Sequence, residues 1–371
     1  MTIGYDAKRI FHNTTGLGNY SRDLVRLLAQ FYPDHTYMLY NPKPGKVNRL
    51  KPDGQRLVER LPDTTLDRMF SSLWRSKGIV KQLAKDQINL YHGLTGELPV
   101  GIEKTRIKTV VTIHDLIFIR YPELYKAIDR KIYTRKFKHA AKIADVVVAI
   151  SEQTKQDIID FLDIEPEKIK VLYQGCHPVF KEALSDNFIE ATLKKHRIPE
   201  DYLFYVGSLI ERKNALSAVK AIEKTGDHLV LLGQGSTYYN KVKQYVDTHH
   251  LNNKVIFLNG LSMEEIAVLY QKANIFIYPS SFEGFGIPII EALYSKTPVI
   301  TGKGSCFPEA GGPDTCYVNP HDIDQIVHAI QKIKQDHIYR QNMIDKGFDY
   351  VQRFNDEVIA KKMMTLYSSI L

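Results

Sequence analysis

Two glutamates stand eight positions apart in a stretch that runs Tyr278-Pro-Ser-Ser-Phe-Glu-Gly-Phe-Gly-Ile-Pro-Ile-Ile-Glu-Ala-Leu. The pattern predicts a strand that ends at Tyr278, a loop that carries Glu283, and a helix that begins near Ile287 and contains Glu291. Loop amides and a helix N-terminus at the carboxyl end of a strand can bind phosphate. Since phosphate repels carboxylates, we expect the two glutamates to bind hydroxyl groups of the same ligand. The stretch predicts a site for a molecule with phosphates and sugars, although an ordinary helix start with surface glutamates has the same pattern.

Two cations follow the first predicted strand of the second half of the chain. The segment Tyr205-Val-Gly-Ser-Leu-Ile-Glu-Arg-Lys-Asn places Arg212 and Lys213 just before a helix that we expect to begin near Asn214. Cations at a helix N-terminus oppose the helix dipole, so the arrangement is favourable where both converge on a phosphate. We therefore predict that Arg212 and Lys213 bind phosphate, the alternative being two solvated charges on a loop.

Two further motifs follow predicted strands in the first half of the chain. Gly16 and Gly18, in Thr-Gly-Leu-Gly-Asn-Tyr, would let backbone amides approach a phosphate closely. A dinucleotide fingerprint needs a third glycine where Ser21 stands, which disfavours NAD binding. His114 ends the strand predicted at Thr109–Ile113, where it could contact a ligand or act as a base, or could be structural.

Length and composition indicate a globular enzyme of two domains. The chain has 371 residues, of which 44% are hydrophobic and 25% charged, and three cysteines. No apolar run reaches the ~20 residues of a membrane span. The first residues resemble a strand and not a signal peptide, so we expect a cytoplasmic protein.

The net charge of +8 indicates an acidic partner. Eight lysines and arginines lie between Arg120 and Lys142, where apolar residues recur at near-helical spacing. This segment predicts a basic amphipathic helix, either solvated or in peripheral contact with the inner face of the cytoplasmic membrane around Arg130–Lys138. No nucleic-acid recognition motif accompanies the charge, so nucleic acid is not an expected partner.

Strand and helix patterns alternate along the chain, which predicts parallel sheets with helices on both faces. We expect strands at Thr2–Tyr5, Thr36–Tyr40, Ile88–Tyr91, Thr109–Ile113, Val146–Ile150, Lys170–Tyr173, Tyr202–Val206, Leu229–Leu232, Val255–Leu258, Ile275–Tyr278 and Pro298–Thr301. The segment from Asn41 to Leu73, rich in proline and glycine, predicts a long functional loop.

This alternation also predicts the domain organisation. The change in character after Pro178 predicts a first Rossmann-like domain at 1–190 and a second at 191–355. A last helix, 356–371, would return to the first domain. Two such halves predict a ligand-binding cleft between them, at the carboxyl ends of both sheets.

Taken together, these residues resemble the retaining, nucleotide-sugar-dependent enzymes of glycosyltransferase family 4, which have the GT-B fold. The resemblance covers nearly the whole chain and is strongest over Glu283–Glu291, which match the family's pair of glutamates. The overall pattern is most similar to bacterial mannosyltransferases of surface-polysaccharide and lipopolysaccharide synthesis. Ser208 departs from the family pattern, because many members have arginine directly after the preceding glycine.

The resemblance implies that the domain at 1–190 binds the acceptor and that the domain at 191–355 binds the nucleotide sugar. It also implies roles for individual residues. Gly16, Gly18 and Gly207 would lie near the diphosphate of the donor, and His114 near the 6-hydroxyl of the donor sugar. Arg212 and Lys213 would hold the diphosphate and stabilise the charge that develops on it. Glu283 would bind donor-sugar hydroxyls and Glu291 the ribose. Amides of the loop would come from Gly284, Phe285 and Gly286.

The implied activity is transfer of a hexose from a nucleotide-diphosphate sugar to a glycan or lipid-linked acceptor, with retention and without a metal ion or other cofactor. GDP-mannose is the preferred donor and a UDP-sugar the second. A sugar phosphorylase or nucleotide-sugar epimerase on the same scaffold remains an alternative, as does a basic module that binds membrane surfaces. A glycosidase is disfavoured, because a hydrolase leaves the predicted phosphate-binding features unexplained. If both glutamates lay on one regular helix, eight residues would also separate them by ~12 Å along its axis, beyond the ~5–9.5 Å between catalytic carboxylates.

Overall fold

The computed structural model describes residues 1–45, 47, 49–235 and 237–371. Contacts divide the chain into two compact units, one of Met1–Gly175 with Phe354–Leu371 and one of Cys176–Arg353. Each unit is built on one parallel sheet covered by helices, which confirms the predicted α/β class with two Rossmann-like halves. No helix within these described ranges is long and apolar enough to cross a membrane.

The first unit contains a seven-stranded sheet. Its strands are β1 (Thr2–Asp6), β2 (Thr36–Tyr40), β3 (Leu57–Arg60), β4 (Leu90–Gly93), β5 (Lys108–Ile113), β6 (Val146–Ala149) and β7 (Ile169–Val171). They are parallel in the order β3-β2-β1-β4-β5-β6-β7. The order reverses between β1 and β4, so loops after these two strands diverge and leave room for a ligand at the carboxyl edge of the sheet.

Helices cover both faces of this sheet. They are α1 (Lys8–His12), α2 (Gly16–Phe31), α3 (Thr65–Met69), α4 (Ser71–Leu73), α5 (Ile79–Lys85), α6 (Ile117–Arg120), α7 (Ala127–Ile143) and α8 (Glu152–Leu162), with a π-helical turn at Trp74–Gly78. Alternate strand residues such as Ile3 and Tyr5 pack in one core with α2, while Met38 and Tyr40 pack in a second core on the other face. This follows from the two-residue period of a strand.

The prediction of a long loop from Asn41 to Leu73 is wrong in part. Strand β3 and helices α3 and α4 form within it. The strand has only four residues and pairs with β2 at the edge of the sheet, so its conformation depends on a tertiary contact that no local pattern reveals.

The second unit contains a six-stranded parallel sheet in the order β10-β9-β8-β11-β12-β13. Its strands are β8 (Tyr202–Val206), β9 (His228–Leu232), β10 (Val255–Leu258), β11 (Ile275–Tyr278), β12 (Val299–Gly302) and β13 (Cys316–Val318). The last strand was not expected from the sequence, because it has only three residues.

The helices of this unit are α9 (Asp186–Lys195), α10 (Ala215–Thr225), α11 (Thr237–Thr248), α12 (Met263–Lys272), α13 (Ile287–Tyr294), α14 (Phe307–Gly311), α15 (Ile323–Gln335) and α16 (His337–Val351). Ser262 and Glu265 form a capping box at the start of α12. The division between units lies after Gly175, earlier than the predicted boundary at residue 190. Helix α9 packs on α12, where Lys195 and Glu265 form an ion pair, so the segment before residue 190 belongs to the second unit.

The last helix, α17 (Asp356–Ile370), belongs to the first unit and packs on α2. Its Asn355 N-cap accepts a hydrogen bond from the amide of Val358. In the core, the hydroxyl of Tyr367 lies 2.6 Å from Nδ1 of His92. The C-terminal helix is thus tied to the first sheet by a buried polar contact as well as by apolar packing.

Candidate active site

The carboxyl ends of β8 and β11 meet where the strand order of the second sheet reverses. The loop after β8 carries Arg212 and Lys213, and the loop after β11 carries Glu283. The two loops are joined through their backbones, since the amide of Ser281 donates to the carbonyl of Arg212 at 2.9 Å. The topology therefore assembles one site from segments about 70 residues apart in sequence, at the position where open α/β sheets bind ligands.

An ion cluster forms at this position. Nη1 of Arg212 lies 2.9 Å from Oε2 of Glu283, and Nζ of Lys213 lies 3.3 Å from Oε1. The hydroxyl of Tyr278 donates to Oε1 of Glu283 at 2.8 Å and accepts from Nζ of Lys213 at 2.8 Å. Arg212 also donates to the carbonyl of Phe282. The three charged side chains are only 12–16% exposed, so the cluster is held in a fixed arrangement.

The cluster carries a residual positive charge. Burial raises the pKa of Glu283, but the charges of Lys213 and then Arg212 outweigh burial and lower that pKa to about 2. The carboxylate is therefore ionised at neutral pH and offsets one of the two cations. A partly buried excess of one positive charge, with guanidinium and ammonium donors side by side, favours a multiply charged anion such as a diphosphate.

Two features of the backbone support this cluster. Gly207 has φ of 148°, and a Cβ atom there would lie 3.3 Å from Cδ and 3.4 Å from Nζ of Lys213. Glycine thus leaves room for the Lys213 side chain to reach Tyr278. The thiol of Cys306 donates to the carbonyls of Glu283 at 3.1 Å and Phe285 at 2.8 Å, which secures the loop from the side of β12.

Helix α13 begins after the loop, as predicted. Gly286 is its N-cap with φ of 111°, a conformation that favours glycine, and Pro288 lies in the first turn. Gly284 and Phe285 are buried within the loop. Glu291 lies in the second turn and its Oε2 accepts a hydrogen bond from the hydroxyl of the buried Tyr270 at 2.9 Å. Glu291 is therefore oriented by a partner different from those of Glu283.

The predicted glycine motif of the first unit lies at the start of α2. The amide of Gly18 donates to the Thr15 carbonyl at 2.9 Å and to Oδ1 of Asn13 at 3.1 Å. A Cβ atom at Gly18 would lie 2.1 Å from the carbonyl oxygen of Asn13, so glycine is required there for the fold itself. At Gly16 a Cβ would meet no atom within 4 Å, which leaves space beside the helix N-terminus.

His114 follows β5 and both of its ring nitrogens have partners in the first unit. Nε2 lies 2.9 Å from the carbonyl of Leu94 and Nδ1 lies 2.9 Å from Nε2 of Gln174. The imidazole is therefore a donor at Nε2 and an acceptor at Nδ1. Burial lowers the pKa of His114 to about 4. The ring is neutral at pH 7, which suits a hydrogen-bonding or positioning role better than that of a general base.

Several residues of the second-unit site were not singled out from the sequence. Tyr278 links Lys213 to Glu283, Ser280 donates to Oε1 of Glu283 at 3.0 Å, and Tyr270 orients Glu291. A signal was present for Tyr278 and Ser280, since polar side chains at the end of a buried parallel strand face the site. Tyr270 lies on α12, and nothing in its local sequence indicated a contact with α13.

Family models match both halves of the chain. Residues 14–179 match the model described as Glycosyltransferase Family 4, and residues 188–349 match the model described as Glycosyl transferases group 1. The boundary between the two matched segments falls near the division between the structural units. Each unit therefore corresponds to one family domain.

Two relatives are named as O-antigen mannosyltransferases. The chain is 33% identical to the O-antigen chain mannosyltransferase RfbU of Salmonella typhimurium over 248 residues, which is 66% of this chain and 65% of that protein. It is 23% identical to the O-antigen chain mannosyltransferase B of Escherichia coli over 99% of both chains. The chain thus aligns with just under two thirds of the first relative and nearly all of the second.

Solved structures show the same fold. Anabaena Alr3699/HepE, solved in complex with UDP-glucose, has a TM-score of 0.77 at 17% sequence identity, with 100% of both chains covered. With both family models and both parallel-sheet units in place, the chain belongs to the GT-B glycosyltransferases that combine a family 4 domain with a group 1 domain.

Proposed function

We propose that this glycosyltransferase moves a mannosyl residue from GDP-mannose to a glycan or lipid-linked saccharide in surface-polysaccharide synthesis. The observation that carries the proposal is the ion cluster of Arg212, Lys213 and Glu283, a preformed seat for a diphosphate beside a carboxylate. Two relatives named as O-antigen mannosyltransferases favour mannose and this type of acceptor. A UDP-sugar is the second candidate donor.

The chemistry that we propose needs no metal ion. When the anomeric bond breaks, negative charge develops on the departing diphosphate, and Arg212 and Lys213 stabilise it by preorganised electrostatics. The oxygens of Glu283 are engaged by Arg212, Lys213 and Tyr278, which makes this carboxylate a poor nucleophile. The resemblance to glycosyltransferase family 4 implies retention, and without a protein nucleophile we propose that the acceptor attacks on the face that the diphosphate leaves while a phosphate oxygen takes the acceptor proton.

The variant Lys213→Ala tests whether the ion cluster binds the diphosphate of the donor. We expect kcat/KM for the nucleotide sugar to fall at least 100-fold, because an ammonium aimed at the leaving group is lost, in line with ~3 kcal/mol for one donor to a developing charge. The matched control is Lys241→Ala in the same unit, whose exposed ammonium pairs with Glu211 at 3.1 Å. Rates should be measured with radiolabelled GDP-mannose and UDP-glucose, with and without EDTA. Transfer by Lys213→Ala within threefold of the control would contradict the role of Lys213.

The same assay separates the alternative reactions. A phosphorylase requires free phosphate for turnover, and an epimerase changes the sugar without an acceptor. Loss of transfer on addition of EDTA, restored by a divalent ion, would contradict the metal-independent chemistry.

We also propose a peripheral position on the inner face of the cytoplasmic membrane, through helix α7. The predicted basic helix is present at Ala127–Ile143, with Ile128 69% and Ile132 47% exposed. Exposed apolar side chains between lysines and arginines suit the interface of an anionic bilayer. This position would bring the enzyme to lipid-linked acceptors.

A further inference from the structure

A second candidate site, a cavity, lies entirely within the first unit, apart from the ion cluster of Arg212, Lys213 and Glu283. Its volume is about 620 Å³, within the ~300–1,000 Å³ of small-molecule sites. Its charged lining consists of Lys8, Lys43, Arg75, Glu97 and Lys136. The first of these follows β1, the second follows β2 and Glu97 follows β4. The cavity therefore lies at the carboxyl edge of the first sheet, where its strand order reverses, and this is the expected place for a ligand.

Arg75 is fixed at the base of this cavity. It lies in the π-helical turn Trp74–Gly78 and is 13% exposed. Its Nε lies 3.1 Å from each carboxylate oxygen of Asp6, its Nη2 also donates to Asp6, and its Nη1 lies 2.8 Å from Oε2 of Glu97. The guanidinium is thus held in one orientation by two carboxylates, as a preorganised binding group requires.

The cavity has more positive than negative charge. Four cations, Lys8, Lys43, Arg75 and Lys136, stand against the carboxylates of Asp6 and Glu97. Nζ of Lys136 lies 3.4 Å from Oε2 of Glu97, and the same oxygen also pairs with Arg75. Burial and then the charge of Arg75 lower the pKa of Lys8, as expected for an ammonium close to other cations. A ligand with two negative charges would balance the cluster.

The segment that carries Arg75 supplies polar groups to the cavity and also exposes apolar side chains. Ser71, Ser72 and Ser76 line the cavity beside Arg75 and can donate to phosphate oxygens. Apolar side chains of the same segment, between 57% and 71% exposed, recur at helical spacing; they are Leu66, Met69, Phe70 and Leu73. An anionic group inside the cavity and an apolar group on this outer face would fit one amphiphilic molecule.

We propose that this cavity binds the phosphate or diphosphate group of the acceptor, with Lys8, Lys43 and Lys136 as its cationic contacts and Arg75 as the fixed base. The inference rests on the proposed function, because it makes the first unit the place where the acceptor is held. The same chemistry could come from a soluble sugar phosphate or from a lipid-linked saccharide. The exposed apolar residues beside the cavity favour the lipid-linked form.

The test uses the full chain with the donor seat weakened by Lys213→Ala, so that diphosphate binding there does not mask the cavity. Inorganic pyrophosphate and farnesyl diphosphate are titrated by calorimetry against this background, and then against versions that also carry Lys43→Glu or Lys104→Glu. Lys43 is exposed, so its reversal should leave the fold intact, and Trp74 fluorescence checks this directly. Lys104 is the matched control, an exposed cation before β5, at the amino edge of the same sheet.

We expect Lys43→Glu to weaken the binding of both probes at least tenfold, while Lys104→Glu changes it less than twofold. Tighter binding of farnesyl diphosphate than of pyrophosphate assigns the site to a lipid-linked acceptor, and equal binding assigns it to a soluble phosphate. Equal affinities of the Lys43→Glu and Lys104→Glu versions would overturn the proposal. If no nucleoside diphosphate binds the unmodified protein, the proposed function fails, whereas the comparison of Lys43 with Lys104 still decides the cavity.

Discussion

At the scale of residues, the most informative feature of the candidate site is the position of Glu283 between Arg212 and Lys213. The carboxylate lies between two cations, so it holds both of them in place and lowers their net charge. On the function that we propose, a bound diphosphate would give the cations a second partner and would leave the carboxylate available to hydroxyl groups of the sugar. The residue thus combines positioning with recognition, and these two contributions should separate on mutation.

Glu283→Gln is expected to lower transfer at least tenfold but to leave the affinity for the nucleoside diphosphate unchanged or tighter. The amide removes the negative charge that competes with phosphate, while it loses the strong acceptor for sugar hydroxyls. Glu291→Gln is the matched control, since Glu291 is proposed to bind ribose and its loss should weaken the nucleoside diphosphate itself. Kd from calorimetry and kcat from the transfer assay distinguish the two. Weaker nucleotide binding by Glu283→Gln would contradict this separation.

Gly207→Ala should weaken nucleoside diphosphate binding about tenfold. The added Cβ would press on Cδ and Nζ of Lys213, both within 3.4 Å, and displace the ammonium from Tyr278. Gly226→Ala is the control, because Gly226 also has positive φ but a Cβ there meets no atom within 4 Å. Both variants should lose roughly 1 kcal/mol of stability from backbone strain. Equal nucleotide affinities of the two variants would show that Lys213 does not depend on this glycine.

At the scale of elements, the site depends on how strands end. The loops after β8 and β11 meet because these strands are neighbours, and β12 adds the supporting thiol of Cys306. In the first unit, the lysine- and arginine-lined cavity likewise lies beside the loops that follow β1, β2 and β4. A reversal of strand order therefore accounts for both candidate ligand sites, each within its own sheet.

Helix α7 carries the prediction on membrane contact. Lys131→Glu combined with Arg135→Glu should reduce flotation with vesicles of anionic lipid at least tenfold, because each cation near such a surface contributes about 1 kcal/mol. The matched control is Lys361→Glu with Lys362→Glu, two exposed cations on α17. Vesicles without anionic lipid should float little protein of any version. Unchanged flotation of the α7 variant would rule out this helix as the contact.

At the scale of the whole molecule, the two units are expected to differ in their response to acid. His92 and His114 are buried in the first unit, where burial lowers their pKa values to about 3 and about 4 from 6.5. In the second unit the shifted groups that titrate in acid are carboxylates. Burial raises the pKa of Glu283, but the charges of Lys213 and Arg212 lower it to about 2, and a hydrogen bond from Lys195 lowers that of Glu265 to about 2.

The first unit should therefore lose stability before the second as pH falls. Below pH 6.5 the unfolded chain protonates its histidines while the folded unit does not until about pH 4, so each histidine costs roughly 1.4 kcal/mol per pH unit in that window. The carboxylates of the second unit stabilise it above their ordinary pKa of 4.5, and this contribution is lost only as pH falls from 4.5 towards 2.

Trp74, the single tryptophan of the chain, reports on the first unit, so its fluorescence can follow urea unfolding at pH 7 and pH 5. We expect a clearly lower urea midpoint at pH 5. Circular dichroism at pH 7 and pH 5 follows the unfolding of both units. A circular-dichroism transition that does not coincide with the Trp74 transition reports on the second unit, and its urea midpoint should shift less between the two pH values. An identical Trp74 midpoint at both pH values would contradict buried, neutral histidines.

The sequence by itself determined most of the elements and the charged residues of the ion cluster. Buried parallel strands are continuous apolar runs, and glycines, prolines and capping residues mark their ends, so β8, β11 and α13 could be predicted from local pattern. Arg212, Lys213 and Glu283 were found because charged residues directly after such strands must lie at one edge of a sheet. The resemblance to glycosyltransferase family 4 rested on these residues together with Glu291, the glycine motif of the first unit and His114.

Only the tertiary structure decided which of these residues touch. The ion pairs of Glu283, the link through Tyr278 and the contact of Tyr270 with Glu291 join segments far apart in sequence, and no local pattern encodes such distances. The short strands β3 and β13 likewise depend on a neighbouring strand for their conformation. His114 and Gly18 were chosen for a ligand, but the structure shows them hydrogen-bonded to other residues of the protein, His114 to Gln174 and Leu94, and Gly18 to Thr15 and Asn13. Burial and neighbours set these roles, because hydrogen bonds and charges act through space and not along the chain.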